Sequence, residues 1–146
     1  MVVKTSEAEL WLDSAESGKS LTLISHAHSD HIPRRFGRVI STPETACILK
    51  IFRDGFDWIG LRFGERIEFS DVRISAEPSG HVLGSSQFLI DSGNERLVYT
   101  GDLNVYDSIV LKGAKPIEAD KLVIEATYGS PNYIFPRREE VYARIV

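Results

Sequence analysis

Six consecutive residues, His26-Ala27-His28-Ser29-Asp30-His31, constrain this chain more than any other stretch. They follow Leu21-Thr22-Leu23-Ile24-Ser25, a short apolar run that reads as a buried strand ending where the histidines begin. Three imidazoles and a carboxylate in six positions are poor material for a core. They are good material for a metal site, because histidine nitrogen and aspartate oxygen are ligands that zinc takes. The order H-x-H-x-D-H can serve two metals from one loop. The chain has 4 histidines in all, and three of them are here.

With 146 residues the chain is long enough for one domain with a real core. Hydrophobic content of 42% and charged content of 26% are those of a globular protein. The formal net charge of −4 argues against holding nucleic acid on a broad basic surface. A polyanionic substrate would have to be attracted locally, by bound metal or by a few arginines. The single cysteine, Cys47, cannot form an internal disulfide and reads as a small core residue of a helix. The first residues lack the apolar core of a signal peptide, and no apolar run reaches membrane-spanning length. The expectation is a cytoplasmic protein that makes no use of a membrane.

Along the chain, residues 8–13 read as a strand ending at Asp13, followed by a polar turn from Ser14 to Ser20 around Gly18. Pro33 bars helix across the end of the histidine loop. Arg34, Arg35 and Arg38 follow, either a solvated surface or a phosphate clamp. A strand over Arg38–Ser41 leads to Thr42-Pro43-Glu44, a helix start with an N-cap hydroxyl, proline at the first position and an early acid. Ala46, Leu49 and Phe52, with Ile48 and Ile51 beside them, supply its apolar face, and Gly55 ends it.

Residues 58–70 suggest two short strands around a turn. Val72, Ile74 and Ala76 alternate with polar residues as a half-buried strand does. That strand runs into Gly80-His81-Val82-Leu83-Gly84, placing the fourth histidine at a strand end, where a third zinc ligand is needed. Residues 87–91 and 95–100 read as a hairpin across Ser92-Gly93-Asn94. The second strand delivers Asp102 after Gly101. A further buried strand over 121–125 delivers Glu125. The tail from Pro136 reads as the first turns of a helix.

Asp13, the 26–31 loop, His81, Asp102 and Glu125 thus stand at successive strand ends. H-A-H-S-D-H, G-H-V-L-G-S and Y-T-G-D-L-N in this order resemble the metallo-β-lactamase superfamily. The stretch Ile124-Glu125-Ala126-Thr127-Tyr128-Gly129 resembles the entry into its β-CASP nuclease group, closest to the messenger-RNA 3′-end-processing and ligase-associated branches. The resemblance implies an α/β (α+β) fold, a metallo-β-lactamase-like αββα sandwich. This chain would be its N-terminal portion, with residues 1–128 in the hydrolase domain and 129–146 opening the β-CASP segment. It implies one zinc on His26, His28 and His81, and a second on Asp30 and His31, with Asp102 between both. Asp13 would orient the loop, Asp30 would also serve the nucleophile, and Glu125 would orient the site.

Two zincs in such a site lower the pKa of a water and clamp a phosphate oxygen for attack on phosphorus. The expected activity is that of a nuclease acting on RNA or DNA. Two rivals share the fold: a hydrolase of small thioesters or lactams, and a non-catalytic nucleic-acid-binding paralogue. The family's chain continues and returns to supply further histidines, whereas here no histidine follows His81. This chain alone is therefore expected to hold one zinc or none and to be inactive. It is also expected to supply the strands of one sheet and only part of the other. That leaves the faces of residues 71–77 and 87–100 and the run Leu122-Val123-Ile124 bare, and predicts a homo-oligomer through an exposed sheet face or edge.

Overall fold

The computed structural model describes residues 1–16 and 21–145. The turn expected around Gly18 lies mostly outside the described residues, as does Val146. In chain order the elements are β1 (Val2–Lys4), β2 (Glu9–Leu12), β3 (Leu21–Leu23), β4 (Arg38–Ser41), α1 (Pro43–Phe52) and β5 (Asp57–Gly60). There follow β6 (Arg66–Phe69), β7 (Val72–Pro78), β8 (Ser86–Asp91), β9 (Arg96–Tyr99), β10 (Lys121–Val123) and α2 (Arg138–Ile145).

The strands form two five-stranded mixed sheets, ordered β1-β2-β3-β4-β5 and β10-β9-β8-β7-β6. In the first, β2 to β5 run parallel and β1 pairs antiparallel with β2. In the second, β6 to β9 are antiparallel neighbours and β10 runs parallel to β9. The expected 87–100 hairpin is present, with Asp91 opposite Arg96. The pair expected within 58–70 is not a hairpin: β5 closes one sheet and β6 opens the other. β1 was not foreseen.

The two sheets pack face to face. Leu10, Leu12, Leu21, Leu23 and Ile40 from the first meet Val72, Ile74, Ala76, Phe88 and Ile90 from the second in one buried cluster. Each of the larger side chains contributes about 1.5–3 kcal/mol relative to leaving it in water. This overturns the expectation that the chain supplies only part of the second sheet. The chain supplies five strands to each layer, so the 71–77 and 87–100 faces already have a partner from the same chain. Period-two alternation explains the second cluster: Ile40 faces the other sheet, while its neighbour Val39 packs outward with Ile24, Phe36 and Leu49 under α1.

α1 begins as expected. Thr42 is extended at the N-cap and its hydroxyl accepts from the Thr45 amide at 3.3 Å. Its buried residues are Thr45, Ala46 and Leu49. Cys47 is exposed and not a core residue, because it points away from the side that carries Ala46 and Leu49. Ile51 and Phe52 are also exposed, since the last turn lies beyond the packed stripe. β10 is another correction. It is an edge strand, with Leu122 59% and Ile124 54% exposed, and not a buried one.

Strand direction positions the site. β2 and β3 are parallel, and so, through their shared neighbour β8, are β7 and β9, with β10 alongside. Their C-terminal ends deliver Asp13, His26, His81, Asp102 and Glu125. The sheets are joined at this end, where the Ser86 amide donates to the Ser25 carbonyl at 2.9 Å.

Candidate metal centre

One donor atom each from His26, His28, His81 and Asp102 lies within 4.8 Å of the other three. His81 Nε2 is 3.3 Å from Asp102 Oδ2 and 3.3 Å from His28 Nδ1, and His26 Nε2 is 3.6 Å from Asp102 Oδ2. His26 is completely buried, and its Nε2 has no hydrogen-bond partner among the described residues. A buried polar nitrogen without a partner is costly. Here it faces two other imidazoles and a carboxylate, a donor set suited to a transition-metal dication. The residues fit a metal.

Asp102 also reaches the other way: its Oδ1 lies 3.2 Å from His31 Nε2. Asp30, largely exposed, stands 3.8 Å from the same nitrogen and outside the four-residue cluster. The geometry therefore has a closed half and an open half, and Asp102 touches both.

Asp13 lies close to His26 and His31 as well. Its oxygens are already engaged, accepting from the Ser25 amide (2.7 Å), the Ser25 hydroxyl (2.6 Å), His31 Nδ1 (2.7 Å) and the Tyr99 hydroxyl (2.7 Å). A carboxylate so occupied orients its neighbours and has little left for a metal. It sits in the left-handed region, at φ 44°, and so turns back onto the loop. The hydrogen bond to Asp13 holds the His31 imidazole above its ordinary pKa, against its partial burial. Burial first, and the charge of His31 second, push His26 down to about 4, so His26 is neutral at pH 7. Burial and the Asp13 carboxylate push the Tyr99 phenol up, and it stays a donor.

Two glycines make the approach possible. Gly80 has φ +75°, and a Cβ there would lie 2.3 Å from the Asn104 carbonyl oxygen. The Asn104 amide donates to the Ser79 carbonyl at 2.9 Å, and its side chain donates to the Gly80 carbonyl at 3.2 Å. The His81 loop and the Asp102 loop are thus laced together. Gly84 lies against α1, where its carbonyl accepts from the hydroxyls of Thr42 (2.7 Å) and Thr45 (3.1 Å).

Glu125 does not enter the donor cluster. Its Oε1 accepts from the Leu103 amide at 2.7 Å, immediately after Asp102. Partial burial opposes its ionisation. Hydrogen bonds from Thr127 and from the Leu103 amide outweigh that and hold the carboxyl below the usual range. Arg38 is taken by Asp57 at 2.7 Å, and Arg34 and Arg35 are exposed, so the arginine trio reads as surface. Ser25, Tyr99 and Asn104 were missed from sequence. Their one signal is adjacency to the motifs, and their role comes from contacts between the two sheets.

The fold is that of the metallo-β-lactamases. The chain superposes on the metallo-β-lactamase fold protein YhfI from Bacillus subtilis with a TM-score of 0.58 at 13% identity, covering 73% of this chain and 54% of that one. No protein-family model matches the chain. It is 30% identical over 135 residues to the "Probable DNA ligase" of Opitutus terrae, covering 90% of this chain and 13% of that protein. It is 31% identical over 157 residues to the cleavage and polyadenylation specificity factor subunit 3 of Dictyostelium discoideum, covering 82% of this chain and 20% of that protein. The chain is related to the β-CASP nucleases of the metallo-β-lactamase superfamily. It spans a fifth or less of the length of the two curated relatives described. Among the described residues, no helix is long and apolar enough to cross a membrane.

Proposed function

We propose that this chain carries the greater part of the metal centre of a zinc-dependent phosphodiesterase that hydrolyses nucleic acid, RNA in the first instance. The observation that carries this reading is the closed donor set of His26, His28, His81 and Asp102 around a buried, unpartnered imidazole nitrogen. The relationship to RNA-processing nucleases supports the choice of substrate. Metal bound there supplies Lewis acidity toward a phosphoryl oxygen and a water of lowered pKa. Asp102 presents one oxygen to each half of the centre. In this reading Asp30 binds metal and accepts a hydrogen bond from the nucleophile; its exposure and its position 3.8 Å from His31 Nε2 support that role. Glu125 holds the Asp102 loop through the Leu103 amide.

Residues 1–128 are the hydrolase portion in this reading and 129–146 open the β-CASP segment. The open half, with Asp30, His31 and Asp102, is weak, so the chain holds about one zinc and cleaves poorly by itself. A cytoplasmic setting is proposed, supported by the lone free Cys47. Self-association through the exposed β10 edge is proposed. The test is metal analysis after dialysis together with cleavage of single-stranded RNA and hydrolysis of a small thioester. The expected result is about one zinc per chain, lost in His81→Ala, with RNA cleavage by this chain slow at most, chelator-sensitive and absent from Asp30→Ala. Thioester hydrolysis faster than RNA cleavage would overturn the nuclease reading. Two tightly held zincs with vigorous cleavage would overturn the weak second half.

A further inference from the structure

We propose that Ser25 is a positioning residue that fixes the tautomer of His26 and so presents its Nε2 to the metal. The inference rests on the metal reading above but starts from hydrogen-bond donors alone. Ser25 is buried, and its hydroxyl has one proton. Asp13 Oδ2, 2.6 Å away, is a carboxylate oxygen and can only accept, so that proton goes to Asp13. What Ser25 Oγ offers His26 Nδ1, 2.9 Å away, is then a lone pair. His26 Nδ1 must carry the proton, which leaves Nε2 bare, and Nε2 is the atom that faces Asp102 and has no partner.

Asp13 also takes Nδ1–H of His31 directly, at 2.7 Å, so that in the neutral ring the bare nitrogen is Nε2, which faces Asp102. One carboxylate therefore sets the ligating nitrogen of two rings, and Tyr99 holds that carboxylate from the opposite sheet. Ser25 is also closely packed against the Asp102 loop and the second sheet. A Cβ on Gly101 would stand 2.5 Å from Ser25 Oγ, and the Ser25 carbonyl is tied to the Ser86 amide.

The test reads the ring before any metal is added. Long-range proton–nitrogen correlation on the metal-free chain reports which nitrogen of each neutral histidine is protonated, and a chelator competition reports zinc affinity. The wild type is expected to hold His26 as Nδ1–H. Ser25→Ala is expected to move the proton to Nε2 and to weaken zinc binding about 10–100-fold, the usual effect of losing a group that orients a ligand. Thr22→Val is the control. It removes a buried hydroxyl with no partner among the described residues and should leave both readouts unchanged.

A wild-type His26 protonated on Nε2 overturns the proposal, and needs no variant to fold. So does a Ser25→Ala chain that keeps Nδ1–H, or one that changes tautomer yet binds zinc within twofold of wild type. A wild type that shows Nδ1–H on His26 and takes up no zinc sinks the metal reading while supporting Ser25's hold on the ring.

Discussion

Residues 1–104 and residues 119–145 handle apolar side chains in opposite ways. In the first region, alternate residues of both sheets meet in a closed core, with Leu10, Leu23, Ile40, Ile74 and Phe88 all fully buried. In the second, Leu122 of β10 and Ile124 just after it stay in solvent, and α2 buries nothing. Tyr128 meets Tyr133 and Phe135 edge to face, and all three stay exposed. All six of the donors Asp30, His26, His28, His31, His81 and Asp102 lie in the first region. The tail reaches the centre through Glu125 and the Leu103 amide. Metal binding should therefore follow the integrity of the two-sheet core and be nearly indifferent to the tail.

The strongest way to break that contrast is to open the core. Phe88→Ala, at a fully buried position between the sheets, is expected to cost about 3–5 kcal/mol and to take zinc binding with it. Thermal unfolding with and without zinc checks this, and a variant of near wild-type stability would show that the sheets do not close on each other. A smaller, more local effect is expected from Gly101→Ala. Gly101 has φ +54°, where an L side chain costs about 1–2 kcal/mol, and its methyl would run into Ser25. Zinc affinity should fall at least tenfold by chelator competition, with the fold retained. Wild-type affinity here would mean that β9 need not approach the 25–26 segment so closely.

Smaller again is Glu125→Gln, which keeps the shape and removes the charge that holds the Leu103 amide beside Asp102. The carboxylate is half-buried and solvent screens it, so the loss is expected to be about 1 kcal/mol or less of stability. Zinc affinity should weaken severalfold at most. A loss as large as that for His81→Ala would make Glu125 part of the centre and dissolve the distinction between the two regions.

The donors were legible because each is a polar residue set at the end of an apolar run, and such runs are strands. Asp13, His26, His81, Asp102 and Glu125 follow β2, β3, β7, β9 and β10 in turn. Pairing was less legible. β5 and β6 are neighbours in sequence but belong to different sheets, and nothing local says so. The second layer was underestimated for the same reason: the alternation of Val72, Ile74 and Ala76 shows a buried face but not what buries it. Cys47, Ile51 and Phe52 are apolar by type, yet which part of a short helix meets a sheet is decided by tertiary contact. Ser25 and Tyr99 are ordinary residues in a strand reading, and their place around Asp13 exists only once the two sheets are joined.

The least perturbing change concerns the edge. β10 pairs on one side with β9, and no other strand among the described residues lies on its other side. Leu122, more than half exposed there, gives an edge strand an apolar contact that a second molecule could share. Leu122→Asp removes it without touching the core, so stability should stay within about 0.5 kcal/mol of wild type, as for surface changes elsewhere. Zinc affinity should not change, since residues 121–123 carry none of the donors. If copies associate through this edge, sedimentation across a dilution series will show concentration-dependent mass for the wild type and a monomer for Leu122→Asp. A wild type that stays monomeric at high concentration removes the association proposal and leaves the closed core standing. A variant that still associates moves the contact elsewhere, to the exposed aromatic group of the tail.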